Sequence, residues 1–126
     1  MSNAAIRVAF KTATKSGFER AKVGAVIANK KRILSCGYNE VRYYKKCPTP
    51  RKWNNSLHAE QSAILKLLNS GRHNELVGST IYVTRVNKAG ESVLAKPCQY
   101  CHELIKSVGI KKVVFTTNTG VEEYDL

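Results

Sequence analysis

The sequence predicts an α/β fold in three layers (α/β/α), a central mixed sheet of about five strands with helices packed on its faces. Two observations carry most of this. Short β-branched runs such as "KVGAVIAN" and "IKKVVFTT" alternate with segments of helical period, and strand–helix–strand units of that kind pack compactly with one hand. The chain also closes on "TTNTGVEEYDL", which is too short for a crossover helix. A parallel last strand would need about a dozen connecting residues, so the last strand is expected to run antiparallel to its neighbour.

Each element has a local reason. Ala4 to Ser16 places Ile6, Ala9, Phe10 and Ala13 on one helical face, and Gly17 ends it;. Val23 to Ala28 is a β-branched strand, "NKKR" a turn and "ILSCGY" its hairpin partner;. Residues 40 to 56 read as a long loop, with two prolines, two asparagines and five basic residues;. A helix follows from about Leu57 to Asn69, capped by Asn55 or Ser56, with Ile64 and Leu65 facing the core and Gly71 closing it;. Ser79 to Val86 is the third strand, "NKAGES" a turn and "VLAK" a short extended piece. "PCQYCHELIKSVG" is a helix with proline in its first turn and glycine at its end;. "IKKVVFTT" is the fourth strand and "VEEYDL" the last.

The bulk properties bound the function. A length of 126 residues, 43% of them hydrophobic, predicts a single domain spanning 1–126 with a real core;. There is no eighteen-residue apolar run for a membrane span;. The N-terminus reads as an amphipathic helix instead of a signal peptide, so the expected setting is cytoplasmic and reducing. Cysteines 36, 47, 98 and 101 are then not expected to pair, and the close pair Cys98/Cys101 reads as metal-binding or redox-active;. A formal charge of +12 favours polyanionic or phosphorylated partners;. The aromatic and basic loop "RYYKKCPTPRKW" suits stacked bases and phosphates, a lid over one mononucleotide, or a solvated loop pinned by Trp53 and Tyr44;.

Two helix starts carry the chemistry. In "NNSLHAEQSAIL" a histidine and a glutamate stand two apart, and a helix start has no structural need for the histidine. In "PCQYC" Cys98 and Cys101 share a helix face, so both sulfurs can point at one ion;. His58 is the candidate third ligand. One histidine and two cysteines leave a tetrahedral zinc one open position, the arrangement of a catalytic site. Water there has its pKa lowered towards about 7. The positive helix ends favour thiolate over thiol. Glu60, beside a ligand but not itself one, is placed to shuttle protons. A closed structural site would need a fourth ligand from Cys36, Cys47 or His102, and would leave Glu60 without a role.

The pair "HAE" and "PCQYC", with "KVGAVI", "GYN" and "GIKKVVF" in order, resembles the zinc-dependent cytidine and deoxycytidylate deaminase superfamily over most of the chain;. That resemblance implies a cytidine-deaminase-like fold, with zinc (Zn2+) on His58, Cys98 and Cys101 and Glu60 as catalytic proton shuttle. It implies that the Ala59 backbone contacts the pyrimidine, that Asn39 bonds the sugar, and that Gly24 and Ala25 floor the base pocket. The reaction implied is hydrolytic deamination of cytosine to uracil on a free nucleoside or nucleotide of the dCMP kind, by an enzyme that self-associates as a homo-oligomer. Deamination of cytosine or adenine within single-stranded DNA or RNA is the alternative enzyme reading. A catalytically silent nucleic-acid-binding module with a structural zinc is the alternative of another class. The chain departs from many family members in the segment "RVNKAGESVLAK", which predicts an extra hairpin near the site. The short C-terminus resembles the free-nucleoside topology more than the polynucleotide-editing one.

Overall fold

The computed structural model describes residues 3–18, 21–30, 32–41 and 56–126. Helix α1 (Asn3–Ala13) leads into strands β1 (Lys22–Asn29) and β2 (Arg32–Tyr38). Two short strands follow, β3 (Glu40–Val41) and β4 (Ser56–Leu57), then α2 (Ala59–Asn69) and one helical turn, α3 (His73–Leu76). The chain ends as β5 (Thr80–Val86), α4 (Gln99–Ser107), β6 (Lys112–Thr116) and β7 (Val121–Asp125). The main sheet has the order β2-β1-β5-β6-β7. Strands β5 and β6 are parallel and the other three pairs antiparallel. The mixed sheet of five strands is therefore present, and β7 does return antiparallel to β6.

Strand parity divides the core between two helical layers. Ala25 and Ile27 of β1, with Ile81 and Val83 of β5, are buried with Ile64 and Leu67 of α2 and Ile105 of α4. Val26 points the other way and packs with Ala5 and Ala9 of α1. Two glycines let helices lie directly on the sheet. A Cβ at Gly24 would stand 2.1 Å from the Ala9 carbonyl oxygen of α1, and one at Gly37 2.5 Å from the Ala63 nitrogen of α2. Around Gly37, Ser35 Oγ donates to the Ala63 carbonyl at 2.8 Å and Lys66 Nζ to the Cys36 carbonyl at 2.6 Å.

Several local expectations shift. The first helix stops at Ala13, before Gly17. The cap of α2 is His58; Ser56 instead pairs with Val41 in the β3–β4 ladder, and Asn55 lies outside the described residues, as do Tyr44, Cys47 and Trp53. Leu65 is exposed, because the buried stripe of α2 runs through Ala59, Ala63, Ile64 and Leu67. The turn α3 and the ladder at the ends of the 40–56 segment are too short for periodicity to show. Segment 85–96 does fold back: Val86 bridges to Ser92, and Val93 N–H donates to the Arg85 carbonyl at 3.0 Å. Among the described residues no helix is long and apolar enough to cross a membrane.

Replacing Gly37 with alanine is expected to cost about 1–3 kcal/mol, because backbone cannot move aside as a side chain can. Gly17→Ala, where nothing lies within 4 Å of the added methyl, is expected to stay within about 0.5 kcal/mol. Urea unfolding of the two variants checks the contrast.

Candidate active site

The site sits where α2 and α4 begin, above the carboxyl ends of the parallel strands β5 and β6. Sheets of this kind leave a crevice for ligands there. His58 and Cys98 each occupy the extended N-cap position of their helix, one residue outside the first turn. Cys101 follows in the first turn of α4 and is fully buried. His58 Nδ1 lies 3.2 Å from Cys101 Sγ and 3.9 Å from Cys98 Sγ. All three ligand atoms lie within 4.8 Å of one another. Donors around one tetrahedral zinc, with Zn–S near 2.3 Å and Zn–N near 2.0 Å, stand about 3.5 Å apart. The spacing therefore fits one ion.

Backbone groups orient these ligands. Cys101 N–H donates to Cys98 Sγ at 3.5 Å, so the start of α4 turns an amide towards a sulfur that benefits from becoming thiolate;. Gln61 Oε1 accepts the His58 backbone N–H at 2.9 Å, which holds the ligand's main chain at the start of α2;. Gln61 was missed in the sequence, although a glutamine three residues past a cap is a recognised signal for this bond.

Without an ion the site keeps its buried thiol protonated. Burial pushes the Cys101 thiol well above its ordinary range, and the negative charges of Glu60 and Cys98 push it the same way. A divalent ion reverses that balance, since a coordinating thiol is deprotonated outright. Among the described residues these three form the one metal-competent cluster. His102 does not join it: its Nδ1 lies 3.1 Å from the Tyr124 hydroxyl, and the two rings stack. Cys36 belongs to the α1 side of the sheet.

Glu60 is only 5% exposed, yet it lines a cavity of about 320 Å³ together with His58, Ala59 and Cys98. Burial raises its carboxyl above the ordinary 4.5; its own backbone N–H, His58 and Cys101 act in the opposite direction. Phe18, Ala21, Val23 and Asn39 form another wall of this cavity, and Arg85, Leu94, Ala95 and Lys96 the remainder.

Two of the expected substrate contacts change, and a third residue, Asn39, is shared with the fold. Gly24 faces α1, on the opposite side of the sheet from the cavity, and its missing side chain serves helix packing. Ala25 faces the correct layer but lies in the core below the cavity, whose wall on β1 is Val23. Asn39 does line the cavity, but its amide already holds the start of β1. Its Oδ1 accepts from Val23 N–H at 2.9 Å and its Nδ2 donates to the Ala21 carbonyl at 2.7 Å. One amide hydrogen and one lone pair remain for a ligand. Phe18, Arg85, Leu94 and Lys96 carry no motif that marks them in sequence.

Residues 1–117 match the family described as the cytidine and deoxycytidylate deaminase zinc-binding region. The chain belongs to this family. It is thus a zinc-dependent deaminase, and its cofactor is zinc. The chain is 31% identical to the deoxycytidylate deaminase of Mycobacterium phage D29, over 86% of its own length and 88% of the relative's. The structure resembles the dCMP deaminase of cyanophage S-TIM5, solved in complex with dCMP and dUMP, with a TM-score of 0.66 and 27% identity over 89% of this chain and 77% of that one. It also resembles the cytidine deaminase of Burkholderia pseudomallei, with a TM-score of 0.73 at 20% identity over 99% of this chain and 92% of that one, a likeness of fold.

For a deaminase of this build, a buried acid near the metal site costs stability. The folded state raises the Glu60 pKa above 4.5, so it holds a proton that the unfolded chain gives up. Stability contributed below the unfolded pKa is therefore lost as pH rises from about 4.5 through the folded value. In chelator-treated protein Glu60→Gln is expected to be the more stable form at neutral pH, with the gap closing below pH 4.5. Urea titrations at stepped pH measure this; a gap independent of pH would contradict it.

Proposed function

We propose that this deaminase converts a cytosine base to uracil on a free nucleoside or nucleotide of the dCMP kind, releasing ammonia, and that residues 1–126 act as one catalytic domain. The observation that carries the reading is Glu60, a buried carboxyl that opens onto the cavity beside three metal-competent ligands with no fourth among the described residues. The similarity to deoxycytidylate deaminases supports the choice of substrate.

In this reading His58, Cys98 and Cys101 hold the zinc. Bound zinc would supply a water acidified towards pKa 7. The chain's own groups would do the rest. The cavity walls would hold the pyrimidine, with the Ala59 backbone against the ring edge. Glu60 would accept one proton of the water and pass it to ring N3 as the C4–O bond forms. It would then carry the proton of the new C4 hydroxyl to the amino group, so that the C4–N bond breaks, ammonia leaves and the C4 carbonyl of uracil remains. A carboxyl held above its ordinary pKa by burial suits a group that must both accept and donate;.

The charge of +12 favours a second reading, deamination within a single strand;. Incubation with deoxycytidine, deoxycytidylate and a cytosine-containing oligonucleotide, scored for ammonia, separates the two. Product from the oligonucleotide alone would overturn the first reading. Glu60→Ala is expected to retain zinc by elemental analysis while losing roughly 100- to 10,000-fold in kcat; retained activity would remove Glu60 from the shuttle role. Cys101→Ala is expected to lose the zinc itself.

A further inference from the structure

The segment that carries Cys98 and Cys101 is bracketed by Lys96 and His102. Lys96 stands two residues before Cys98, and His102 follows Cys101 directly. Both reach the same side chain, Tyr124 of β7. The Lys96 ammonium lies 5.7 Å from the centre of the Tyr124 ring, within reach of a cation–π contact. The His102 ring stacks on the same ring, with centroids 5.7 Å apart and planes 29° from parallel. Its Nδ1 shares a hydrogen bond with the Tyr124 hydroxyl at 3.1 Å. One aromatic side chain thus touches a residue on either side of the metal-binding turn.

Register explains how Tyr124 arrives. It pairs with Val113 of β6, and Val113 and Phe115 belong to the core beneath α2 and α4. Parity therefore aims Tyr124 at the α4 layer. An edge-on contact with Phe115, 6.0 Å between centroids, steadies the ring;. The other four residues of β7 are exposed, so the strand adds little to the core beyond this side chain. Its end is tied down where Leu126 N–H donates to the Lys111 carbonyl at 2.9 Å.

His102 passes the hold on to both cysteines. It is bonded to Cys101 through the chain, and its backbone N–H donates to the Cys98 carbonyl at 2.8 Å. On the entering side, Ala95 N–H donates to the Thr116 carbonyl at 2.9 Å, and Pro97 restricts the backbone between Lys96 and Cys98;. Cys98 itself is exposed, so burial in the core does not hold its sulfur in place. Its position depends on what grips the segment at either end.

We propose that Tyr124 is a positioning residue for the zinc site, holding the two sulfurs in place through Lys96 and His102 before the ion binds. The inference rests on the ligand set of the reading above and adds to it a residue outside both motifs. Ligands already gathered lose less freedom on binding, so the hold is felt as metal affinity. The ring and the hydroxyl contribute separately. A phenyl ring can stack on His102 and face the Lys96 cation, but only a phenol bonds Nδ1.

The test is the zinc affinity of the folded protein, measured by competition with a chromophoric chelator. Tyr124→Ala is expected to bind zinc roughly 10- to 100-fold more weakly than the wild type. Tyr124→Phe keeps the ring and is expected to lose about 2- to 10-fold. Val121→Ala, at an exposed position of the same strand, is expected to bind as the wild type does. A ring that only filled space would leave the phenylalanine variant at full affinity, and that result overturns the proposal. So does an equal loss in Val121→Ala, which moves the effect from the side chain to the strand. Should Tyr124→Ala not fold, Tyr124→Phe carries the comparison alone. Cys101→Ala separates this inference from the reading beneath it. Zinc retained in that variant removes the ligand set, whereas zinc lost there, with full affinity in the Tyr124 variants, removes only the role of Tyr124.

Discussion

The contact on which the rest depends is the close approach of α2 to β2 over Gly37. Any side chain there would meet the backbone of Ala59 and Ala63 and the Ser62 side chain, so the helix can lie at this depth only above a glycine. Depth matters because the start of α2 carries His58 as its cap and Glu60 in its first turn. Raising it by the thickness of a methyl group would carry the imidazole away from two sulfurs held by a different helix. The hydrogen bonds from Ser35 and Lys66 keep the helix from sliding along the strand. Catalytic geometry in this protein is therefore a packing property of the sheet before it is a property of the ligands.

On that platform the site gathers groups that oppose one another's charge. Cys101 and Glu60 are both buried and both acidic; burial raises the proton affinity of each, and Glu60 raises that of Cys101 further. Hydrophobic burial alone would favour the neutral form of each. Two helix N-termini offset part of this through partial positive charge, and a bound divalent ion supplies the remainder. The arrangement spends folding stability on a pair of acids, which is the usual relation between a reactive site and its scaffold.

Segment 85–96 gives the cavity its remaining character. It is neither a loose loop nor a free-standing hairpin. Thr116, Ser92 and the Ala95 amide tie it to the end of β6. A segment tied down at so many points can present Leu94 and Lys96 to a ligand in a fixed place. The charge of +12, diffuse in composition, has a local expression at this rim.

Much of this was legible in the residues themselves. Alternating strands and helices follow from periodicity, and the antiparallel last strand from the length of its connection. The metal-competent cluster follows because "HAE" and "PCQYC" each gather their groups at one helix start, where local geometry is fixed by the helix. What stayed hidden depends on pairing between distant segments. Gly24 looked like a pocket floor because nothing local says which face of β1 meets α1. The structural duty of Asn39 was hidden because its partners, Val23 and Ala21, lie sixteen and eighteen residues back. Arg85 and Lys96 carry no motif at all. The sequence by itself determined the chemistry, since side-chain type and one-turn spacing decide which ligands can share an ion. Only the tertiary structure decided the cavity, because strand register and long-range hydrogen bonds, both invisible to local period, choose which side chains face it.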